Sequence, residues 1–187
     1  EYLSKGYQGD PFENGLISGV EHVMALNSEL SRRIFEQNPD HAFYVEESFP
    51  LEWMNPHLTP YGIIMKLNRE PVETLTPEML DRDRRFWTQY SERLIGDWIT
   101  PETGVEEICK FAVDFLSLRD ISNYPTVDPK FFRDSQAQKS FSKLRGSQAR
   151  LFAWHYRQAK ARSASQEETD RLLEAAEFAY KQSFAYY

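Results

Sequence analysis

Cysteine is almost missing from this 187-residue chain: Cys109 stands alone, which excludes an internal disulfide and any cysteine-based metal cluster. Long apolar runs are missing too. No stretch approaches the ~20 continuous apolar residues that a membrane-spanning helix needs, and Glu1 to Asp10 lacks the charged-then-apolar layout of a secretory signal. There is no glycine-rich phosphate loop, no nucleophile elbow and no His-x-x-x-His pair. His22, His41, His57 and His155 are scattered singly, so neither a cofactor nor a metal is expected. A positive balance is absent as well. The formal net charge of −7 argues against general nucleic-acid binding, because phosphate neutralisation takes clustered cations.

What is present is a foldable composition. The hydrophobic share of 41% and the charged share of 27% sit near soluble averages and the aromatic share of 14% is generous, so a packed core is expected. The length allows one or two modules. Charge is unevenly placed: residues 1–127 hold 11 Lys and Arg against 22 Asp and Glu, while residues 128–187 hold 11 against 7. Between Lys139 and Arg162 there are seven basic residues and no acidic one.

Periodicity points to a mainly α (α+β) fold. Ile17, Val20, Met24, Leu30 and Ile34 recur at helical spacing, Ser18 with Glu21 has the form of a capping box, and the helix should end near Asn38-Pro39. Residues 42–47 and 62–67 read as strands. The Pro-punctuated connection between them is long enough for a short helix, so both parallel and antiparallel pairing stay open. Thr76-Pro77 opens a helix lined by Met79, Phe86, Trp87, Tyr90 and Leu94. Thr103 with Glu106 opens another, whose stripe Val105, Ile108, Cys109, Ala112, Phe115 and Leu116 assigns Cys109 to the core.

The turn-rich segment 118–127 reads as a boundary, after which Asp128-Pro129 starts one long helix running to about Lys160. Its expected buried set is Phe132, Phe141, Leu144, Leu151, Phe152 and Tyr156. Ser165 with Glu168 opens the last helix. The expected organisation is a small helix-plus-two-strand unit (1–70), a helical middle (71–127) and a long helical hairpin (128–187). Because Tyr186 and Tyr187 close that last helix in mid-pattern, the chain reads as an excerpt of a longer protein.

Two resemblances follow. In the last helix Ala176, Tyr180 and Ser183 stand at small, aromatic and small positions, and Ala153 and Tyr156 suit the helix before it; the pair resembles a tetratricopeptide repeat with a lengthened loop. A lone repeat needs neighbours to bury its open face, so further repeats are implied. Residues 43–69, with Phe43-Tyr-Val-Glu-Glu and Ile63-Ile-Met-Lys-Leu as strands flanking an aromatic, Pro-rich connection, resemble the segment after the last membrane helix in bacterial protein O-mannosyltransferase-like membrane proteins of unknown function. That resemblance implies an extracytoplasmic location, a membrane region ahead of Glu1, and any glycosyl-transfer acids in that missing region. No position here inherits a catalytic role from it.

The expected role is therefore a non-catalytic interaction or scaffold module that binds a protein or peptide partner. In a repeat groove the contacting side chains would include Arg150, His155 and Arg157. Lys139, Lys143, Arg150 and Arg157 share a helix face, either simply solvated or drawn to an anionic membrane surface. The competing readings are a free-standing cytoplasmic tetratricopeptide adaptor and a carbohydrate-binding domain using Trp53 and His57. For catalysis the best candidates are Glu46, Glu47 and His57, but strand alternation turns the two glutamates to opposite faces.

Overall fold

The computed structural model describes residues 19–46 and 51–187, together with two short strands ahead of them. Those strands, β1 (Phe12–Glu13) and β2 (Leu16–Ile17), pair antiparallel, so Ile17 belongs to a strand and not to the first helix. Helix α1 (Val20–Gln37) begins after Gly19 at φ 83° and ends at Asn38, as its periodicity suggests. Ser18, and with it the expected capping box, lies outside the described residues.

The expected two-strand unit has three strands. β3 (Phe43–Val45) is followed by a 3-10 helix (Glu52–His57), then β4 (Leu58–Tyr61) and β5 (Ile64–Leu67), in the order β3-β5-β4. Both pairings are antiparallel, with Tyr44 opposite Lys66 and Pro60 opposite Met65. β4 escapes notice in the sequence because Pro60 breaks its pattern, yet proline is tolerated there since β4 is an edge strand. Gly62 at φ 61° supplies the first residue of a two-residue hairpin turn, the conformation that favours glycine.

α2 (Pro77–Leu94) starts where Thr76 Oγ1 accepts the Met79 N–H at 3.3 Å. α3 (Val105–Ala112) runs into a wider π-type turn, Val113–Leu118. The Thr103 capping box does not form. Thr103 Oγ1 instead accepts the Thr100 N–H at 2.8 Å and donates to the Trp98 carbonyl at 3.1 Å, tying the loop and leaving Gly104 at the helix start. The roll of α3 also differs from the expected stripe. Phe111 enters the core, 4.5 Å from the Trp98 ring and 5.0 Å from Phe115, and two residues along a helix is nearly the opposite side. Cys109 is thereby exposed, along with Val105 and Val113.

The expected long helix breaks into α4 (Pro129–Arg133) and α5 (Ser135–Ala161). Asp134 makes the break by capping α5, accepting the N–H groups of Gln136 at 3.1 Å and Ala137 at 2.9 Å. α6 (Gln166–Tyr186) is capped by Ser165, which accepts the Glu168 N–H at 3.2 Å. The chain is thus mainly α with a small antiparallel sheet, and among the described residues no helix is long and apolar enough to cross a membrane.

Packing joins segments distant in sequence. One aromatic cluster combines Trp87, Phe111, Phe115 and Phe131 with Phe178 and Tyr186 of α6, and so draws on both sides of residue 127. A second packs Leu75 and Leu80 against Ala149, Phe152, Leu172 and Ala176. A third places Phe35, Met54, Leu58 and Met65 against Leu151 of α5. The irregular segment 119–128 lies against the first, with Val127 buried and the Asp128 N–H donating to Leu94 O at 3.1 Å.

α5 and α6 fold back on one another, and Gly146 marks their close approach: a Cβ there would lie 2.9 Å from Ser183 Oγ, which donates to Ser142 O at 2.8 Å. Gly146→Leu is expected to cost about 1–3 kcal/mol by overpacking. Urea unfolding followed by circular dichroism checks this; an unchanged midpoint would mean the helices spread freely at this point.

Candidate functional site

The side of α5 that faces neither α6 nor the core carries the chemistry. Arg150, Trp154 and Arg157 recur at four and three residues, which stacks them on one helix face. With Asn55 of the 3-10 helix, Ser147 and Leu151 they line a depression of about 300 Å³. Trp154 also lines a second depression, about 420 Å³, with Pro56, Pro71, Val72, Gln158, Ala161, Glu73 and Arg162. Both lie toward the small end of the range seen for ligand sites, and the shared indole makes them neighbours.

The charges differ in status. Arg162 pairs with Glu168, which also accepts from the Thr74 hydroxyl; this hydroxyl and then Arg162 hold the Glu168 carboxyl below its ordinary value. Arg150 and Arg157 are exposed and make no ion pair among the described residues. Two uncommitted guanidiniums beside an indole present planar hydrogen-bond donors next to apolar area. Such a face is chemically suited to carboxylates and other oxyanions.

Of the sequence-derived site residues, the structure brings Arg150 and Arg157 together in this depression and places the others outside it. Lys139 and Lys143 continue the same helix side toward the start of α5, and Lys139 Nζ lies 5.2 Å from the Tyr187 ring centroid. His155 cannot belong to an exposed groove, being 1% exposed, with its ring edge-on to Trp154 at 4.9 Å. Burial pulls its pKa from 6.5 down to about 4, against a smaller opposing contribution from the Leu58 backbone.

Trp53 and His57 meet edge-on at 6.5 Å around Phe35, and Trp53 Nε1 is buried without a hydrogen-bond partner among the described residues. His57 Nδ1 lies 2.9 Å from Asn68 O, while the Asn68 amide donates back to His57 O at 2.8 Å, so His57 anchors the start of β4 to the end of β5. Neither residue lines the two depressions. Glu46 is exposed just beyond β3, and Glu47 lies outside the described residues.

A buried polar network beneath the site is absent from the sequence reading. Arg145 Nη1 donates to Asp83 Oδ2 at 2.7 Å and to Gln148 Oε1 at 2.9 Å, and its Nε donates to Gln182 Oε1 at 2.8 Å. Gln182 donates to Ser91 Oγ at 2.9 Å, and Ser91 shares a 2.8 Å hydrogen bond with the Tyr186 hydroxyl, whose pKa burial pushes up to about 12. Gln148 donates to Gly62 O at 2.7 Å, so the network reaches the β4–β5 turn. Arg145 therefore leaves the count of surface basic residues. Burial raises the Asp83 pKa above 3.8, more than the adjacent Arg145 lowers it, and its Oδ1 has no hydrogen-bond partner among the described residues.

A signal for this network exists in the sequence. Asp83 falls in phase with Leu80 and Trp87, and Gln182 in phase with Ala179 and Tyr186, so each is a polar residue on an apolar face. Compared with protein-family models, with curated proteins and with solved structures, the chain matches none.

Proposed function

We propose that this chain is a non-catalytic interaction module that binds an acidic peptide segment of a protein partner across the Arg150–Trp154–Arg157 face. The observation that carries this reading is the pair of guanidiniums, free of ion pairs among the described residues, on either side of Trp154 in one depression. Carboxylates suit the arginines bidentately, and tryptophan and arginine dominate the energetics of protein interfaces. The neighbouring depression, floored by Pro71, Val72 and Ala161, accommodates an apolar residue beside the acidic one.

The test is fluorescence anisotropy with labelled Glu-rich and Lys-rich peptides that both contain leucine and proline. Binding of the acidic peptide should weaken at least ~10-fold in Arg150→Glu/Arg157→Glu, and should fall with salt, since these charges are exposed. Equal binding of both peptides, or an indifferent variant, would sink the reading. Binding to anionic vesicles with no peptide preference would assign the face to a membrane surface instead.

Two further parts of the proposal rest on resemblance alone. Attachment to a glycosyltransferase-like membrane protein, on its extracytoplasmic side, is supported by residues 43–69. A repeat array beginning at α5 and α6 is supported by Ala153, Tyr156, Ala176, Tyr180 and Ser183, although helices of 27 and 21 residues exceed the ~34-residue unit of a tetratricopeptide repeat. The open reading frame that contains this segment tests both, through membrane spans upstream and repeats downstream.

A further inference from the structure

The apolar stripe of α1 points away from its own molecule. Val20, Val23, Leu30 and Ile34 are 80%, 41%, 48% and 55% exposed, while Met24 and Phe35, on an adjoining face, pack into the third cluster. The C-terminal end of the helix is held by Arg69, whose guanidinium lies 4.2 Å from the Phe35 ring centroid and donates to the carbonyls of Phe35 and Asn38. α1 is thus fixed in place with a second apolar face that the described residues do not cover.

That open face has heptad spacing. Val20, Val23, Asn27, Leu30 and Ile34 follow steps of three and four residues, with Gln37 next, and all six are exposed. Val20, Asn27 and Ile34 take the first seam position of successive heptads; Val23, Leu30 and Gln37 take the fourth. Val20 and Ile34 at the first position and Leu30, one of three residues at the fourth, are the types that favour a two-stranded coil, and a single asparagine at the first position sets its register.

Asn27 also selects the occupant. An unrelated apolar helix laid on this stripe would bury the amide without a partner, whereas a second copy in the same direction brings Asn27 opposite Asn27, donor to acceptor across the two-fold axis. Arg33 pairs with Glu29 at 3.1 Å and Arg32 with Glu36 at 2.9 Å along each helix, so two copies approach without uncompensated like charge on these side chains. A lipid surface is the poorer fit, because α1 carries Glu21, Glu29 and Glu36 against only Arg32 and Arg33.

We propose that α1 pairs with α1 of a second copy as a short parallel two-stranded coiled coil, making the protein a two-fold dimer that presents two Arg150–Trp154–Arg157 faces. The helix is ordered before pairing, so association does not bear the cost of nucleating it. With only 18 residues in the helix, the dimer is weak and concentration-dependent. The inference does not depend on what the α5 face binds.

Sedimentation equilibrium of the whole chain, from low micromolar to near-millimolar, should fit a monomer–dimer equilibrium. Leu30→Glu/Ile34→Glu should weaken it at least ~10-fold with an unchanged melting temperature in dilute solution where the chain is monomeric, because neither side chain is in the core. In a Cys109→Ser background, Ile34→Cys should cross-link to itself on oxidation, as seam positions of one kind face each other only in a parallel pair. A chain that stays monomeric throughout, a dimer indifferent to the glutamate pair, or a failure of Ile34→Cys to cross-link would overturn the proposal.

Discussion

Asp83→Ala is expected to remove about 3–5 kcal/mol of stability, the range for breaking a buried ion pair from one side. The cause is the group left behind. Arg145 is 1% exposed, and its only carboxylate partner among the described residues is Asp83 at 2.7 Å. Its other hydrogen bonds go to the neutral amides of Gln148 and Gln182, which do not offset a full positive charge held out of water.

A typical domain has only about 5–15 kcal/mol in total, so the variant should unfold at a markedly lower urea midpoint. Replacing both partners, as in Asp83→Leu/Arg145→Met, should recover much of the loss, because no charge is stranded and the replacements are apolar. It should not recover all of it. The Oε1 atoms of Gln182 and Gln148 would each lose the Arg145 donor. A loss below ~1 kcal/mol for Asp83→Ala would show that Arg145 reaches solvent or another anion.

The second large effect is a pH dependence set by His155. Its pKa is about 6.5 unfolded and about 4 in the fold, lowered chiefly by burial, so between these values the unfolded chain binds the extra proton. The stabilising difference is therefore complete above pH 6.5 and is lost as the pH falls toward 4. The shift corresponds to about 3 kcal/mol.

The measurement is accordingly a difference: urea midpoints from pH 7 down to pH 4 for the natural chain and for His155→Leu. The variant should be about as stable at pH 7, since the ring is neutral there, neither of its nitrogens makes a hydrogen bond among the described residues, and the Leu58 backbone favours only the protonated form. It should lose several-fold less on acidification. Parallel curves for the two proteins would mean that His155 is solvated in the folded state.

The legible parts of the site share one property with the legible parts of the fold: they are local. Arg150, Trp154 and Arg157 form a face through helical spacing alone, so the cluster of basic residues with no acidic neighbours was visible in the chain. What made it a site was the 3-10 helix bringing Asn55 and Pro56 against it, a contact nearly a hundred residues away in sequence. His155 was misplaced for the converse reason. A histidine one step beyond Trp154 gives no local sign of whether it points to solvent or to β4.

The same division runs through the whole molecule. By itself the sequence determined the helical content, the starts at Thr76-Pro77, Asp128-Pro129 and Ser165, and the acidic front and basic back, because caps, prolines and charges act within a turn or along the chain. Only the tertiary structure decided which face of each element turns inward. It exposed the Val20–Ile34 stripe of α1 in favour of Met24 and Phe35, rolled Cys109 out so that Phe111 could reach Trp98, and drew Arg145 in to Asp83. An amphipathic pattern specifies that a helix has an apolar side; when two candidate stripes lie within a quarter turn of each other, the partner arriving from elsewhere in the chain chooses between them.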